Sequence, residues 1–289
     1  MLDTSPRDLN PNFRALEQAL RERGYIESQN LAFEYRSPGG HNESFVELAR
    51  ELVRLDVDVI VTRGTPAALA ARAATSTVPV VMAAAGDPLA IIGGLRPAAN
   101  LTGYGASAAG AEQKRVGILK ELLPKCERIA ALMNLSNPSR RTEWNAVEQA
   151  ARSLGIAAQV LDARSADDLE RSFESAARSA ADALVVGSDT LVQTNQSLVI
   201  RLAAMHRLPA IYTFRDFVEA GGLLSYGVNL SDLYRRAADY VDRILKGAKP
   251  GDLPVQAPVA FEIVLNLTTA RALGLSVPRF LLVAAEIIP

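Results

Sequence analysis

The sequence alternates short apolar runs with helix-like stretches along nearly its whole length. The run at residues 57–62 is rich in valine and isoleucine, and comparable runs recur at 129–134 and 183–187. A strand that is apolar on both faces is typical of a parallel sheet covered by helices on both sides. The alternation therefore predicts an α/β fold with parallel sheets.

Two parts of the chain resemble each other. Residues 57–81 give a strand, a Gly64-Thr65 turn at the start of an alanine-rich helix, and a second strand that contains a proline. Residues 183–211 repeat this order, and 289 residues exceed the usual size of one hydrophobic core. We therefore expect two doubly wound parallel-sheet lobes joined by a hinge. A single Rossmann-like domain with a long extension is the alternative.

The lobe boundaries are expected at two strands that end in small and polar residues. Residues 100–104 are the expected outgoing crossover and residues 225–229 the return, with Gly103 and Gly227 allowing hinge torsions. The predicted division is residues 1–102 plus about 229–255 for the amino-terminal lobe, 103–228 for the carboxy-terminal lobe, and 256–289 for a crossover tail of open assignment.

The two predicted lobes begin differently. The second opens with the strand at 129–134, whereas the first opens with a helix at Pro11. The first strand of a doubly wound sheet is normally central. Lobe 1 is therefore expected to lack its first strand, which would lie between the predicted strands at residues 31–35 and 57–62 and pair with both. A monomer is expected, or a dimer if this strand is absent. An upstream strand would fill the position.

Ligands of open α/β sheets lie beyond the carboxyl ends of the strands, which makes the residues that follow strands the candidate ligand contacts. Residues 208–229 supply a strand, an aromatic rim, a helical turn, Gly221-Gly222 and a second strand. Tyr212 is expected to line a mouth rather than a core, whereas Phe217 suits either place. The candidate ligand contacts are Gly64, Thr65, Asp87, Asn134, Asp189, Thr190, Tyr212, Phe214, Arg215 and Tyr226.

These residue types suit an α-amino acid with an apolar or aromatic side chain. The helix start at Gly64 and Thr65 offers backbone N–H groups and a positive dipole end to a carboxylate, and Arg215 offers a cation. Asp87 or Asp189 can pair with an ammonium group, and the aromatic rim can enclose a side chain. The alternative for Gly64 and Thr65 is an ordinary helix N-cap, and the alternative for the aromatic residues is burial in the core. A sugar would require more Asn, Asp and Arg at the strand ends.

Composition argues against several other classes. Lys plus Arg (31) and Asp plus Glu (32) nearly balance, so nucleic acid is not an expected partner. One cysteine, Cys126, and two histidines give no zinc cluster, and nucleophile-elbow and nucleotide-binding glycine motifs are absent, so no metal, cofactor or enzymatic activity is expected. No apolar run reaches the length of a membrane span, and the first residues do not form a signal peptide.

Longer segments carry a family resemblance. Residues 221–230, followed by 234–256, resemble the signature of the substrate-binding proteins of ABC uptake systems, in the family that includes tryptophan-binding members. Further matching segments are Gly64-Thr-Pro-Ala-Ala-Leu-Ala, Gly86-Asp-Pro, Asn100-Leu-Thr-Gly, Phe261-Glu-Ile-Val-Leu-Asn and Thr269-Ala-Arg-Ala-Leu-Gly-Leu-Ser-Val-Pro. Together these segments cover essentially the whole chain.

The resemblance implies a type I periplasmic-binding-protein fold, a small-molecule ligand in an interlobe cleft, and delivery to an ABC permease subunit. It also implies a periplasmic location, an amino-terminal signal or lipobox, and a first strand before Asp3. The ligand-sensing domain of a regulator or receptor with the same fold is the alternative function, although no DNA-binding motif precedes the first lobe. An uncharacterised enzyme is the third candidate function.

Overall fold

The computed structural model describes residues 1–93, 99–108, 110–258 and 260–289. The chain divides into two compact units. Unit 1 consists of Met1–Ala108 and Leu230–Val259, and unit 2 of Ala109–Asn229 and Ala260–Pro289. The lobe boundaries expected from the sequence remain predictions, because the compactness of a unit does not locate a hinge. Within the described residues, no helix is both long and apolar enough to cross a membrane.

Helices and strands alternate along both units. The strands are β1 (Ile60–Arg63), β2 (Val80–Ala85), β3 (Leu101–Gly105), β4 (Arg128–Met133), β5 (Ala157–Asp162), β6 (Ala183–Val186), β7 (Ala210–Tyr212), β8 (Leu224–Gly227), β9 (Glu262–Asn266) and β10 (Glu286–Ile288). The helices are α1 (Pro11–Arg21), α2 (Phe45–Arg54), α3 (Thr65–Ala74), α4 (Pro88–Ile92), α5 (Ala111–Leu122), α6 (Pro138–Ser153), α7 (Ala166–Arg178), α8 (Thr190–Thr194), α9 (Gln196–Met205), α10 (Arg215–Glu219), α11 (Leu230–Leu245), α12 (Leu267–Ala272) and α13 (Arg279–Ala284).

Unit 1 is built on a parallel sheet in the order β1-β2-β3. Alternate strand residues point to opposite faces. Ile60, Val80 and Met82 join the buried residues of α2 and α3 in one core cluster. The neighbouring residue Val81 therefore points to the other face, and α11 packs against β2, β3 and α1. Helices thus cover both faces, as the apolar strands predict.

The position of the first strand in unit 1 is occupied by residues 1–3. The Leu2 N–H donates to Val61 O at 2.8 Å and the Arg63 N–H donates to Leu2 O at 3.0 Å. On its other side this segment pairs with Arg36, whose N–H donates to Met1 O at 2.9 Å. Among the described residues no regular strand precedes α1, as the missing first strand predicts, but isolated bridges at Leu2 give Arg36 and β1 a shared backbone partner.

Unit 2 is built on a seven-stranded sheet in the order β10-β9-β8-β7-β6-β4-β5. All neighbouring pairs are parallel except β8 with β9, which is antiparallel. Residues 260–289 supply β9 and β10, which places this part of the tail in unit 2. Alternating residues of β4 again serve two cores, with Ile129 in one buried cluster and Ala130 in the other.

The glycines at the two expected crossovers allow close packing of backbones. A Cβ atom on Gly103 would lie 2.2 Å from Met82 O, and Gly103 has φ +130°. A Cβ atom on Gly227 would lie 1.8 Å from Thr213 O. Neither position has room for a side chain, which is a sufficient reason for glycine there. A hinge role for either residue remains a prediction.

Replacing Gly103 by alanine is expected to destabilise the protein by about 2 to 4 kcal/mol, because the new methyl group meets the backbone of β2 and φ is positive. Gly117→Ala in α5 is the control, since a Cβ atom there has no neighbour within 4 Å. The control should be neutral or stabilising by up to about 1 kcal/mol. Urea unfolding measures both; equal midpoints for the two variants would contradict the packing account.

Candidate functional site

Each unit presents polar residues beyond the carboxyl ends of its parallel strands. In unit 1, Gly64 and Thr65 follow β1, and the half-buried Asp87 follows β2. The strand pairing joins these positions, because the Gly64 N–H donates to Ala84 O at 2.8 Å. The structure therefore brings Gly64, Thr65 and Asp87 to one edge of the unit 1 sheet, as expected for parallel neighbours.

Thr65 lies at the first position of α3, directly after Gly64. Gly64 has φ +85° and, lacking a side chain, gives the helix no side-chain cap. Thr65 is 5% exposed, and its buried Oγ1 has no hydrogen-bond partner among the described residues. A buried hydroxyl without a partner costs about 1 to 3 kcal/mol. The start of α3 therefore combines a positive helix end with a hydroxyl that can still donate or accept.

A buried polar network lies beside this edge of the unit 1 sheet, and the sequence patterns do not predict it. The Asp3 carboxylate accepts hydrogen bonds from the Tyr234 hydroxyl and, at 3.0 Å, from the Ser5 N–H. It lies 3.7 Å from the Arg63 guanidinium, which donates to Ser5 Oγ at 3.2 Å. Burial, followed by the charge of Asp3, raises the pKa of Tyr234 well above its ordinary value. The network fixes the chain just before Gly64.

The corresponding edge of unit 2 contains an amide and carboxylate network. Asp189 is buried and caps α8 by accepting from the Leu191 N–H at 3.1 Å. It also accepts from the side-chain amides of Asn134 and Asn137, each at 2.9 Å. Thr190 is buried, and its Oγ1 has no hydrogen-bond partner within the described part of the chain. The structure thus brings Asn134, Asp189 and Thr190 together.

Four buried charged residues lie on α5 and α6 of the same unit. Arg115 pairs with Glu112 and, at 3.0 Å, with Glu143. Glu143 also pairs with Arg140, and Arg115 Nε donates to Tyr226 O at 3.0 Å. Burial lowers the pKa of the Arg140 guanidinium to about 10. We call these four residues the buried ion cluster. Helical spacing of charges is equally typical of an exposed face, so this pattern does not indicate that the four residues are buried.

Tyr212 is a core residue, which corrects the expectation that it lines a mouth. It is 1% exposed and its ring stacks on Phe217 at a centroid distance of 4.8 Å. Both rings belong to the core cluster on one face of the unit 2 sheet. The cause is strand alternation: Tyr212 ends β7 and points to the same face as Ala210. Burial also raises the pKa of Tyr212.

The other two aromatic candidates differ in exposure. Phe214 is buried at 5% exposure, directly before α10. Tyr226 is half-buried on β8 and stacks on the half-buried Phe261 at a centroid distance of 5.4 Å. An aromatic pair that is still partly exposed can contact an apolar group. Tyr226 therefore keeps its role as a candidate, and Phe261 joins it.

Arg215 is committed to carboxylates of its own unit. It contacts Glu219 at 2.8 Å, Glu262 at 3.2 Å and Glu286 at 2.7 Å. The hydrogen bond with Glu286 is the main reason that the pKa of Arg215 is raised. Three carboxylates around one guanidinium argue against the expected role of Arg215 in holding a ligand carboxylate. Two of these partners lie on β9 and β10, whose placement was open from the sequence.

A family model matches almost the entire chain. The family model for ABC transporter substrate-binding proteins matches residues 9–288. A tyrosine-binding protein of Clostridioides difficile is 24% identical over 261 residues, which are 89% of this chain and 75% of that protein.

Two solved structures superimpose on nearly the entire chain. A conserved domain protein from Vibrio cholerae is 27% identical, with a TM-score of 0.90, and the match covers 99% of this chain and 98% of that one. An ABC domain from Streptococcus pneumoniae in complex with L-Trp is 25% identical, with a TM-score of 0.89 and coverage of 100% and 99%.

Replacing Glu143 by glutamine is expected to destabilise the protein by about 3 to 5 kcal/mol, because Arg140 then loses the carboxylate that it contacts in the buried ion cluster and Arg115 keeps only Glu112. Glu174→Gln is the matched control, since Glu174 forms an exposed pair with Arg178 at 3.6 Å on α7. Such surface pairs contribute little. Chemical unfolding followed by circular dichroism compares the two. A Glu143 variant as stable as the control would contradict the expectation that the ion pairs of Glu143 stabilise the fold.

Proposed function

Because the chain belongs to the family of ABC transporter substrate-binding proteins, we propose that it captures a free amino acid outside the cytoplasm and delivers it to the permease subunit of an uptake transporter. The proposed ligand is an L-amino acid with an apolar or aromatic side chain. The buried, unpartnered hydroxyl of Thr65 at the start of α3 carries this proposal. Similarity to a tyrosine-binding protein and to a domain that holds L-Trp supports the ligand class.

The carboxylate of the ligand is assigned to the start of α3. Backbone N–H groups at a helix N-terminus and the helix dipole stabilise an anion. Thr65 adds a hydroxyl donor that loses its desolvation cost when a carboxylate oxygen accepts its proton. Asp87, half-buried on the same edge, is the proposed partner of the ligand ammonium group. Asp189 suits this role less well, since it already accepts three N–H hydrogen bonds.

Unit 2 has candidate ligand contacts of its own. Asn134 and Thr190 offer polar groups at the carboxyl ends of β4 and β6, and Tyr226 offers an aromatic face. Tyr212 is not assigned a contact, because its ring is packed in the core. Arg215 is not assigned one either, because its own unit supplies three carboxylates. The match over residues 9–288 favours this function over the sensing domain of a regulator.

Thr65→Val is expected to weaken binding of L-tyrosine and L-tryptophan by about 1.5 to 3 kcal/mol, roughly 10- to 150-fold, because a hydrogen bond to a charged carboxylate is lost. Thr65→Ser should retain most of the affinity. Thr62→Val is the matched control, since Thr62 is also buried with an unpartnered Oγ1 but lies within β1. Isothermal titration of ligand-stripped protein measures all three variants.

Analogues separate the ligand class from the assignment of Thr65. Tyramine, which lacks the carboxylate, should bind far more weakly than L-tyrosine to the wild-type protein. Binding of sugars or nucleosides with no amino acid binding would refute the ligand class. Unchanged amino acid affinity in Thr65→Val would refute the carboxylate site alone.

A further inference from the structure

A groove on unit 1 is lined by four arginines. Its volume is about 510 Å³, and α1, α11 and the segment at 254–256 form its walls. Thr65, Asp87 and Asp3 are not among its lining residues. The lining residues that carry charge are Arg23, Arg235, Arg236, Arg243, Glu22 and Asp239.

The groove has an excess of positive charge. Four guanidinium groups face two carboxylates, in a chain whose formal net charge is −1. The Asp239 carboxylate lies 3.8 Å from the Arg23 guanidinium, which is a long distance for an ion pair. Arg235 and Arg243 are exposed and have no carboxylate partner among the described residues. The groove therefore lacks the negative charge that would balance its arginines.

Arg236 is held in place from several sides. Its guanidinium carbon lies 4.8 Å from the centre of the Tyr104 ring, and the group donates to Gln256 Oε1. The Tyr104 hydroxyl donates to Arg236 O at 3.1 Å, and the Tyr104 and Tyr240 rings are 4.9 Å apart. Tyr240 in turn donates to Pro254 O at 2.7 Å. One cation of the groove is thus fixed before any ligand arrives, which lowers the entropic cost of binding.

The spacing of the arginines indicates the kind of ligand. Arg235 and Arg243 are separated by two turns of α11, about 12 Å along the helix axis, with Arg236 beside them. A monovalent ion cannot contact such separated groups at once. A molecule with two or more anionic groups can, and guanidinium groups bind carboxylates and phosphates through paired hydrogen bonds.

We propose that this groove binds a small soluble molecule that carries two or more phosphate or carboxylate groups. Its volume falls within the range of about 300 to 1,000 Å³ that is usual for small-molecule sites. The site is separate from the proposed amino acid site and does not depend on it. Because two of the arginines are exposed, the affinity for the anion falls as salt screens their charges.

Isothermal titration with inorganic pyrophosphate and with citrate, at constant ionic strength, tests this assignment. One saturable site per chain is expected. The double substitution Arg235→Glu with Arg243→Glu should weaken it by about tenfold or more, since two charge-assisted contacts become repulsive. The matched control is Arg152→Glu with Arg201→Glu, which makes the same charge change at exposed arginines of unit 2 and should leave the affinity unchanged.

Three results would overturn the proposal. The first is the absence of saturable binding of either probe. The second is an equal loss in both double variants, which would mean that net charge alone governs binding. The third is binding of an oligoglutamate peptide without binding of pyrophosphate or citrate, which would make the groove a contact for an acidic protein segment. Circular dichroism of each variant shows that a loss of binding is not a loss of folding.

Discussion

Parallel pairing of the strands is the constraint on which both units depend, because it gathers the carboxyl ends of the strands, and the residues that follow them, at one edge. In unit 1 this brings the start of α3 beside the segment after β2. In unit 2 it brings Asn134 and Asp189 within hydrogen-bond distance, although 55 residues separate them in the chain. Polar groups placed in this way remain outside the apolar cores, where an unpaired group would destabilise the fold.

The segment at residues 1–3 shows how far this constraint reaches. The backbone of Leu2 joins β1 to Arg36, and the next residue, Asp3, is thereby buried at the sheet edge. Its carboxylate then requires partners, which Arg63 and Tyr234 supply. Tyr234 is 231 residues away along the chain, so no local sequence pattern connects the two. The network was missed for this reason.

The sequence predicted the features that depend on local patterns. Apolar strands alternating with helices predicted the α/β class, and the family resemblance predicted the type I periplasmic-binding-protein fold; both are confirmed. Individual side chains were less predictable, since their surroundings come from distant elements. Tyr212 points into the core, where it stacks on Phe217, because side chains alternate between the two faces of a strand. Arg215 forms ion pairs with carboxylates of β9 and β10. The role of Thr65 at the helix start remains a proposal.

A crystal structure of the protein with L-tyrosine or L-tryptophan tests the central claim most directly. The claim is that the start of α3 holds the ligand carboxylate. The account predicts a carboxylate oxygen within about 2.5 to 3.2 Å of Thr65 Oγ1 and of a backbone N–H in the first turn of α3. A ligand bound with its carboxylate on another group, and Thr65 still without a partner, would contradict it.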